Sequence, residues 1–205
     1  MENAIHWDLF YKFNPNGGPW ENEDGSPDDH VVDFIKNYNL LPKSVVLDAG
    51  CADGKNSTWL VNNDFDVHGI DISPTVITRI RQKIKAGKFK SGDIISTGYQ
   101  NNFFDAIVDA GAMHVNPTDN FKEIFKEYYR ILKNNSILFV RLFYNNLNVE
   151  DPIFHVVSGL PVYGCDIEFL KICIDKLFII EKQIYDPQYG SHGLGCNYFY
   201  LRKNG

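Results

Sequence analysis

The sequence predicts an α/β fold, a three-layer sandwich in which helices cover both faces of a mostly parallel, seven-stranded sheet. Two observations carry this prediction. Between residues 44 and 143, short apolar runs rich in β-branched residues alternate with segments of helical periodicity, which is the pattern of parallel strands joined by helices. The last two strands are separated only by residues 186–195. This is too short for the helix of a parallel crossover, so we expect an antiparallel C-terminal hairpin.

The individual elements follow from the same periodicities. Strands are predicted at residues 44–49, 66–70, 88–92, 104–109, 136–143, 178–185 and 196–203. Helices are predicted at about residues 27–38, 56–63, 74–86, 118–132 and 166–176. Residues 14–29 and 144–166 are rich in Asn, Gly, Pro or acidic side chains and are predicted to be loops.

Short signals mark the helix ends. Ser26-Pro27 and Ser73-Pro74 each pair an N-capping hydroxyl with proline at the first helical position. Asn134-Asn135 is predicted to end the helix that precedes the fifth strand, because asparagine tolerates the left-handed conformation of a helix end.

Size and composition favour one domain. The chain has 205 residues, 44% of them hydrophobic, enough for one core. We therefore expect a single domain over residues 1–205, with residues 1–40 as an N-terminal helix and lid extension. The four cysteines have no paired spacing, and the first ten residues lack a secretory pattern, so a reduced, cytoplasmic protein is expected.

The most informative segment is residues 45–57, VVLDAGCADGKNS. An apolar strand ends in a turn bracketed by Gly50 and Gly54 and leads into a helix, which predicts backbone N–H groups at a cleft for a nucleotide-like cofactor. A second strand, VHGIDIS, ends at Asp71, where a carboxylate can accept hydrogen bonds from a ribose.

Further polar groups follow the later strands. The ends of the parallel strands offer Asp48 through Gly54, Asp71-Ile72, Asp93-Ile94 and Asp109 through His114. Because such ends share one edge of a sheet, we expect these groups on a single rim. Taken singly, Asp48 could instead cap a helix, Asp71 could be a turn residue, and Asp93 could be an ordinary loop carboxylate.

This layout resembles the class I S-adenosylmethionine-dependent methyltransferases. VVLDAGCADGKNS is similar to their first motif, Asp-x-Gly-x-Gly-x-Gly, and GIDIS, SGDI and FFDAIVDAGAMHVNP are similar to the second, third and fourth. The sequences of these motifs are most similar to the small-molecule branch of the family, that is, to the thiopurine and tellurite-type or type 11/12-like methyltransferases. The resemblance implies a Rossmann-like fold. One departure is Ala52 in place of the middle glycine, which we expect to be tolerated if its φ is negative.

The resemblance also implies the cofactor and its contacts. The cofactor would be S-adenosylmethionine, with S-adenosylhomocysteine as the product. The cofactor-binding residues would be Asp48, Gly50, Cys51, Ala52, Gly54, Asn56, Asp71, Ile72, Asp93, Ile94, Ala110, Gly111 and Trp20. Asp71 would hold the ribose and Ile72 the adenine, while Ala110 and Gly111 would pass under the donor. A nicotinamide dinucleotide is the rival, but its G-x-G-x-x-G pattern fails at Ala52 and Lys55.

Candidate catalytic residues lie beyond the fourth and fifth strands. His114 could transfer a proton near neutral pH, or it could simply pack beside Pro117. Tyr144 could position an acceptor, or it could be a core-edge tyrosine. The aromatic residues Trp7, Phe10, Tyr11 and Trp20 could form a lid, or merely cover the edge of the core. His192 could reach the rim from a Gly-rich loop.

The net charge and the spacing of histidines and cysteines limit the partners and the function that the sequence predicts. The net charge of −6 disfavours a phosphate backbone as partner. The basic residues from Arg79 to Lys90 could form a binding patch, but we interpret them as the solvated face of a helix and the loop after it. Histidines and cysteines lack metal-ligand spacing, so no metal is predicted. We therefore expect methyl transfer to a small-molecule acceptor, without membrane partners. The alternatives are a tRNA, other nucleic-acid or protein methyltransferase, and a catalytically silent cofactor-binding protein.

Overall fold

The fold is described from a computed structural model that covers residues 2–18, 25–144, 153–154, 161–187 and 195–205. The helices are α1 (Glu2–Phe13), α2 (Asp29–Asn37), α3 (Lys55–Asn62), α4 (Pro74–Lys83), α5 (Phe121–Ile131) and α6 (Ile167–Ile174). The strands are β1 (Val45–Ala49), β2 (Asp66–Asp71), β3 (Lys88–Ser91), β4 (Phe104–Asp109), β5 (Leu132–Phe143), β6 (Ile153–Phe154), β7 (Pro161–Val162), β8 (Phe178–Asp186) and β9 (Cys196–Lys203).

The main sheet has the predicted number of strands and the predicted strand directions. Its seven strands follow the order β3-β2-β1-β4-β5-β9-β8. Strands β1 to β5 pair in parallel, whereas β9 runs antiparallel to both β5 and β8. The α/β class with an antiparallel C-terminal hairpin is therefore confirmed. The strand order reverses between β1 and β4, which is where ligands bind in open parallel sheets.

Both faces of the sheet are covered by helices. Successive residues of a strand point to opposite faces, and in β1 Val46 belongs to a core cluster with α2 and α3, while Leu47 belongs to one with α5 and α6. A third cluster packs Trp7 and Tyr11 of α1 against α4. Within the described residues, no helix is long and apolar enough to span a bilayer.

The start of α2 differs from the prediction. The helix begins at Asp29 and is capped by Asp28, whose side chain accepts a hydrogen bond from the His30 backbone N–H at 2.9 Å, instead of by Ser26. The carboxylate of Asp28 also binds Arg141 at 2.8 Å. This contact with a residue distant in sequence explains why Asp28 caps α2, although the local sequence at Ser26-Pro27 predicts Ser26. At α4 the prediction is correct, because Ser73 caps the helix and Pro74 begins it.

The junction of α5 and β5 also differs from the prediction. Residues 118–120 form a 3-10 turn, α5 ends at Ile131, and β5 begins directly at Leu132. The pairing with β4 jumps from Phe104–Leu132 to Ala106–Ile137. Asn135 has a φ of 60° within this irregularity. The left-handed asparagine was predicted correctly, but it lies in a strand bulge and not at a helix end.

Candidate active site

A cavity opens at the carboxyl ends of β1, β2 and β4, beneath α1. It contains about 1000 Å³ of space that no protein atom fills, part of it open to solvent. Of the predicted residues, its lining includes Gly50, Ala52, Asp71, Ile72, Asp93, Ile94, Ala110, Gly111 and His114. The structure therefore brings residues from all four predicted motifs to one cavity.

The turn after β1 forms one wall of the cavity. Gly50 has a φ of 68°, and a side-chain methyl group added to it would lie 2.5 Å from Cβ of Ala112. Only glycine allows the turn to pack this closely against the segment after β4. The backbone N–H groups of Gly50 and Cys51 donate to the Ile70 carbonyl at 2.8 and 3.1 Å. These two N–H groups therefore stabilise the turn.

Asp71 occupies the end of β2 with both carboxylate oxygens engaged. One accepts a hydrogen bond from the Ser73 N–H at 2.9 Å and the other from the Ala52 N–H at 3.1 Å. Burial raises the pKa of this carboxyl group to about 6, although the backbone hydrogen bonds act in the opposite direction. Each ionised oxygen still has a second lone pair. The side chain is thus fixed at the cavity wall and can accept hydrogen bonds from a ligand hydroxyl.

Ala52 departs from the expectation of a negative φ. Its φ is 45°, in the left-handed region that glycine prefers. The conformation is maintained because the Ala52 N–H donates to Asp71. The methyl group of Ala52 is therefore tolerated at the cavity through this hydrogen bond, at some cost in backbone strain.

Other predicted residues lie outside the cavity lining and support the turn. Asp48 is buried and accepts a hydrogen bond from Oγ of Ser57 at 2.6 Å. The Asn56 side chain accepts one from the Asp28 N–H at 2.9 Å. A methyl group at Gly54 would lie 2.5 Å from Cδ1 of Ile80, so this glycine allows α3 and α4 to approach. Burial raises the pKa of the Cys51 thiol well above its ordinary value.

Asp109 at the end of β4 was seen in the sequence but given no role. One of its oxygens accepts hydrogen bonds from the N–H groups of Gly111, Ala112 and Met113 at 3.1, 2.7 and 3.2 Å. The other accepts one from the Tyr128 hydroxyl at 2.7 Å. Burial raises the pKa of Asp109 against these hydrogen bonds. This residue therefore fixes the loop that carries Gly111 and His114.

The β4–β5 end of the cavity holds residues that sequence reasoning missed, namely Asn116, Arg141 and Phe143, next to His114. Arg141 is 7% exposed, and its Nη1 lies 2.8 Å from Oδ2 of Asp28. The rings of His114 and Phe143 are 4.5 Å apart. A signal was present: Arg141 is a lone charge in the otherwise apolar run ILFVRLF of β5, and buried charges require a specific reason.

Tyr144 does not line the cavity. Its backbone N–H donates to the Gly195 carbonyl at 2.8 Å, and its ring lies 5.3 Å from that of Tyr185. Trp20 and His192 lie outside the described residues.

The α1 helix covers the cavity with two of the predicted lid aromatics, Trp7 and Tyr11. Phe10 does not line the cavity but packs on both rings, at 5.7 and 5.6 Å. Asp8 attaches α1 to the start of α4, because its side chain accepts hydrogen bonds from Oγ of Ser73 at 2.8 Å and the Thr75 N–H at 2.9 Å. Arg79 of α4 donates in return to the carbonyls of Tyr11 and Asn14.

In the part of the chain that the structure describes, no group of three His, Cys, Asp or Glu side chains is placed to hold a metal ion. The four cysteines are buried and unpaired with each other.

Comparison with known proteins agrees with this geometry. Residues 46–135 match the family described as "Methyltransferase domain". The chain is 30% identical over 118 residues to YqeM of Bacillus subtilis (strain 168), which bears the name of a methyltransferase; the match covers 55% of this chain and 47% of that protein. The chain thus spans about half the length of this curated relative.

Solved structures show the same fold at low identity. A Burkholderia thailandensis 1,6-didemethyltoxoflavin-N1-methyltransferase, crystallised with 1,6-didemethyltoxoflavin and S-adenosylhomocysteine, aligns with a TM-score of 0.77 at 14% identity, covering 98% of this chain and 88% of that chain. A structure concerned with the conversion of a disulfide into a thioacetal during echinomycin biosynthesis aligns with a TM-score of 0.75 at 21% identity, covering 98% and 93%.

Proposed function

We propose, from the match of residues 46–135 to a methyltransferase domain, that the chain is a class I S-adenosylmethionine-dependent methyltransferase and transfers the donor methyl group to a small-molecule acceptor by in-line displacement. The observation that carries the proposal is the cavity at the strand-order reversal, lined by the Gly50 turn, Asp71 and Gly111. These residues match the needs of a sulfonium nucleoside: a close backbone approach, a hydrogen-bond acceptor for a ribose, and apolar surface for a purine.

The residues take these roles along the cavity. Asp71 accepts hydrogen bonds from the ribose hydroxyls, and Ile72, Asp93 and Ile94 flank the adenine. The turn at Gly50 approaches the amino-acid end of the cofactor, and the loop at Ala110 and Gly111 passes under the donor sulfonium. The supporting observation is that these side chains and turns share one lining.

Methyl transfer requires little covalent chemistry from the protein. The sulfonium already activates the methyl carbon, so the main contribution is to align nucleophile, carbon and sulfur. His114 borders the cavity beyond β4, within reach of an acceptor on the far side of the methyl group. It removes a proton from acceptors that arrive protonated.

Two features favour a small acceptor over a nucleic acid. The α1 helix lies across the cavity, with Trp7 and Tyr11 in its lining, which restricts access to a large polymer. The basic side chains considered as a patch make contacts within the protein: Arg81 binds the Phe89 carbonyl, Lys83 the Asp53 carbonyl and Lys90 the Thr97 carbonyl. These contacts account for the basic residues without a phosphate backbone.

The proposal is tested by binding and turnover together. Calorimetry with S-adenosylhomocysteine should show binding to the wild-type protein and a large loss for Asp71→Ala. Asp119→Ala, which removes an exposed carboxylate outside the cavity lining, serves as the matched control and should bind normally. With methyl-labelled donor and a panel of small thiols, amines, phenols and acids, labelled product should form. Absence of binding to the wild type would refute the proposal, and binding without any turnover would leave the silent cofactor-binding alternative.

A further inference from the structure

The cavity is electrically asymmetric. Its β2–β3 end carries the carboxylates of Asp71 and Asp93, whereas the end between β4 and β5 carries His114, Asn116 and Arg141. Among the described lining residues, Arg141 is the sole lysine or arginine. We refer to the β4–β5 end, formed by His114, Asn116, Arg141 and Phe143, as the acceptor end, because the donor occupies the other end under the proposed function.

Arg141 presents the positive half of a buried ion pair to this end. Its partner Asp28 is not part of the lining, and the side chains of the pair are only 8% and 11% exposed. The Asp28 carboxylate has a second contact besides Arg141, because it caps α2 by accepting a hydrogen bond from the His30 N–H. The pair is therefore a fixed dipole whose positive end faces the cavity, in surroundings where charge interactions are weakly screened.

The close surroundings of Gly111 show which part of the cavity the guanidinium of Arg141 faces. A methyl group at Gly111 would lie 2.9 Å from Nη2 of Arg141 and 3.0 Å from Cε1 of His114. The guanidinium and the imidazole thus converge at the loop after β4, where the donor methyl group is expected. Phe143 adds an apolar wall, with its ring 4.5 Å from that of His114.

From this convergence we propose that the acceptor is a small organic acid, whose carboxylate is bound by Arg141 at the acceptor end while its apolar body packs on Phe143. Guanidinium and carboxylate are complementary in charge and shape, and hydrogen bonds between ionised groups are about twice as strong as neutral ones. Arg141 is then a specificity-determining residue, and the Asp28 carboxylate positions it. This inference rests on the proposed function, since it names the substrate class of the same cavity.

The test uses the full chain saturated with S-adenosylhomocysteine. Benzoate and phenylacetate are compared with benzamide and phenylacetamide by ligand-observed NMR and calorimetry. The wild type should bind the acids at least about tenfold more tightly than the amides, the value of one charge-assisted hydrogen bond. Arg141→Lys should retain a reduced preference. The double variant Arg141→Gln/Asp28→Asn removes both buried charges together, so that neither is left uncompensated, and it should lose the preference.

The controls separate this inference from the proposed function. Arg130→Gln removes an arginine that pairs with Glu127 outside the cavity and should keep the wild-type preference. S-adenosylhomocysteine should bind all variants with similar affinity, which also shows that they are folded. If the wild type binds S-adenosylhomocysteine but shows no preference for the acids, or if the double variant keeps that preference, the inference is overturned. If the double variant instead loses S-adenosylhomocysteine itself, Arg141 belongs to donor binding and the inference is likewise overturned.

Discussion

At the scale of single residues, Asp71 makes cofactor affinity depend on pH. Its pKa is raised to about 6 by burial. In the cofactor-free protein, the protonated form of Asp71 is therefore the one that favours folding. Its contribution to the stability of the fold is lost as pH rises through about 6. Ribose hydroxyl groups favour the ionised form, so bound cofactor lowers this pKa.

Affinity for S-adenosylhomocysteine should consequently fall by up to about tenfold from about pH 7 to about pH 5. Calorimetry across this range measures the change. The variant Asp71→Ala should bind weakly, with an affinity that varies little over the same range, because the titrating acceptor is gone. Parallel pH curves for the two proteins would contradict the assignment of Asp71 to the ribose.

Ala52 offers a second residue-scale prediction, about stability. Its φ of 45° is costly for a residue with a Cβ atom, by about 1 kcal/mol relative to glycine. Ala52→Gly should therefore raise the free energy of unfolding by up to about 0.5 kcal/mol in urea denaturation, since the gain in chain entropy of the unfolded state offsets part of the relief.

A matched substitution tests the reason given for Ala52. Ala110 also lines the cavity, but its φ is not positive, so Ala110→Gly should lower the stability through added entropy of the unfolded chain. A loss of stability in both variants would show that the left-handed conformation at position 52 carries no strain.

At the scale of elements, the sequence predicted those with strong periodicity and failed where a distant contact decides. The strands β4 and β9 have the predicted bounds, because their apolar runs are flanked by clear turn residues. The start of α2 was misplaced, because Arg141 lies 113 residues away from Asp28 in sequence, and no local pattern reveals that partner. Arg141 itself has a local signal, as the lone charge in the apolar run of β5, but this signal indicates neither its partner nor its place at the cavity.

The α1 helix is the element whose attachment controls the cavity. Burial would raise the pKa of Asp8, but the hydrogen bonds from Thr75 and Ser73 outweigh burial and hold it below its ordinary value. Asp8→Ala removes the anchor of α1 and a cap of α4, an interaction worth about 1 kcal/mol. The Michaelis constant for the methyl donor should rise several-fold, while the maximal rate changes less.

Hydrogen exchange provides an independent measurement for this variant. Backbone amides of α1 should exchange faster in Asp8→Ala than in the wild type, because local opening becomes easier when the anchor is lost. Asp64→Asn is the control, since Asp64 pairs with Lys43 on the surface, where their side chains are 73% and 77% exposed, and such pairs contribute little. Unchanged exchange in α1 would mean that the aromatic packing of Trp7 and Tyr11 alone holds the helix.

At the scale of the whole molecule, the sheet places donor and acceptor chemistry along one edge. This much could be predicted from the sequence, because the carboxyl ends of parallel strands meet at one edge and the residues from Asp48 to His114 follow those ends in order. Most of the predicted residues line the cavity, but the sequence did not distinguish them from those whose side chains turn away. Asp48 and Asn56 face the supporting turn instead, since strand-end position fixes the rim but not the direction of each side chain.

Ligand binding to this edge should stabilise the entire fold. A ligand that binds only the folded state adds about 2.7 kcal/mol at about a hundredfold its dissociation constant. For a chain of 205 residues, this corresponds to a rise in the melting temperature of about 5–10 °C. S-adenosylhomocysteine should give such a shift in a thermal melt. NAD should give none, because Ala52 and Lys55 stand where a dinucleotide motif needs glycines. A shift with NAD and none with S-adenosylhomocysteine would reverse the choice of cofactor.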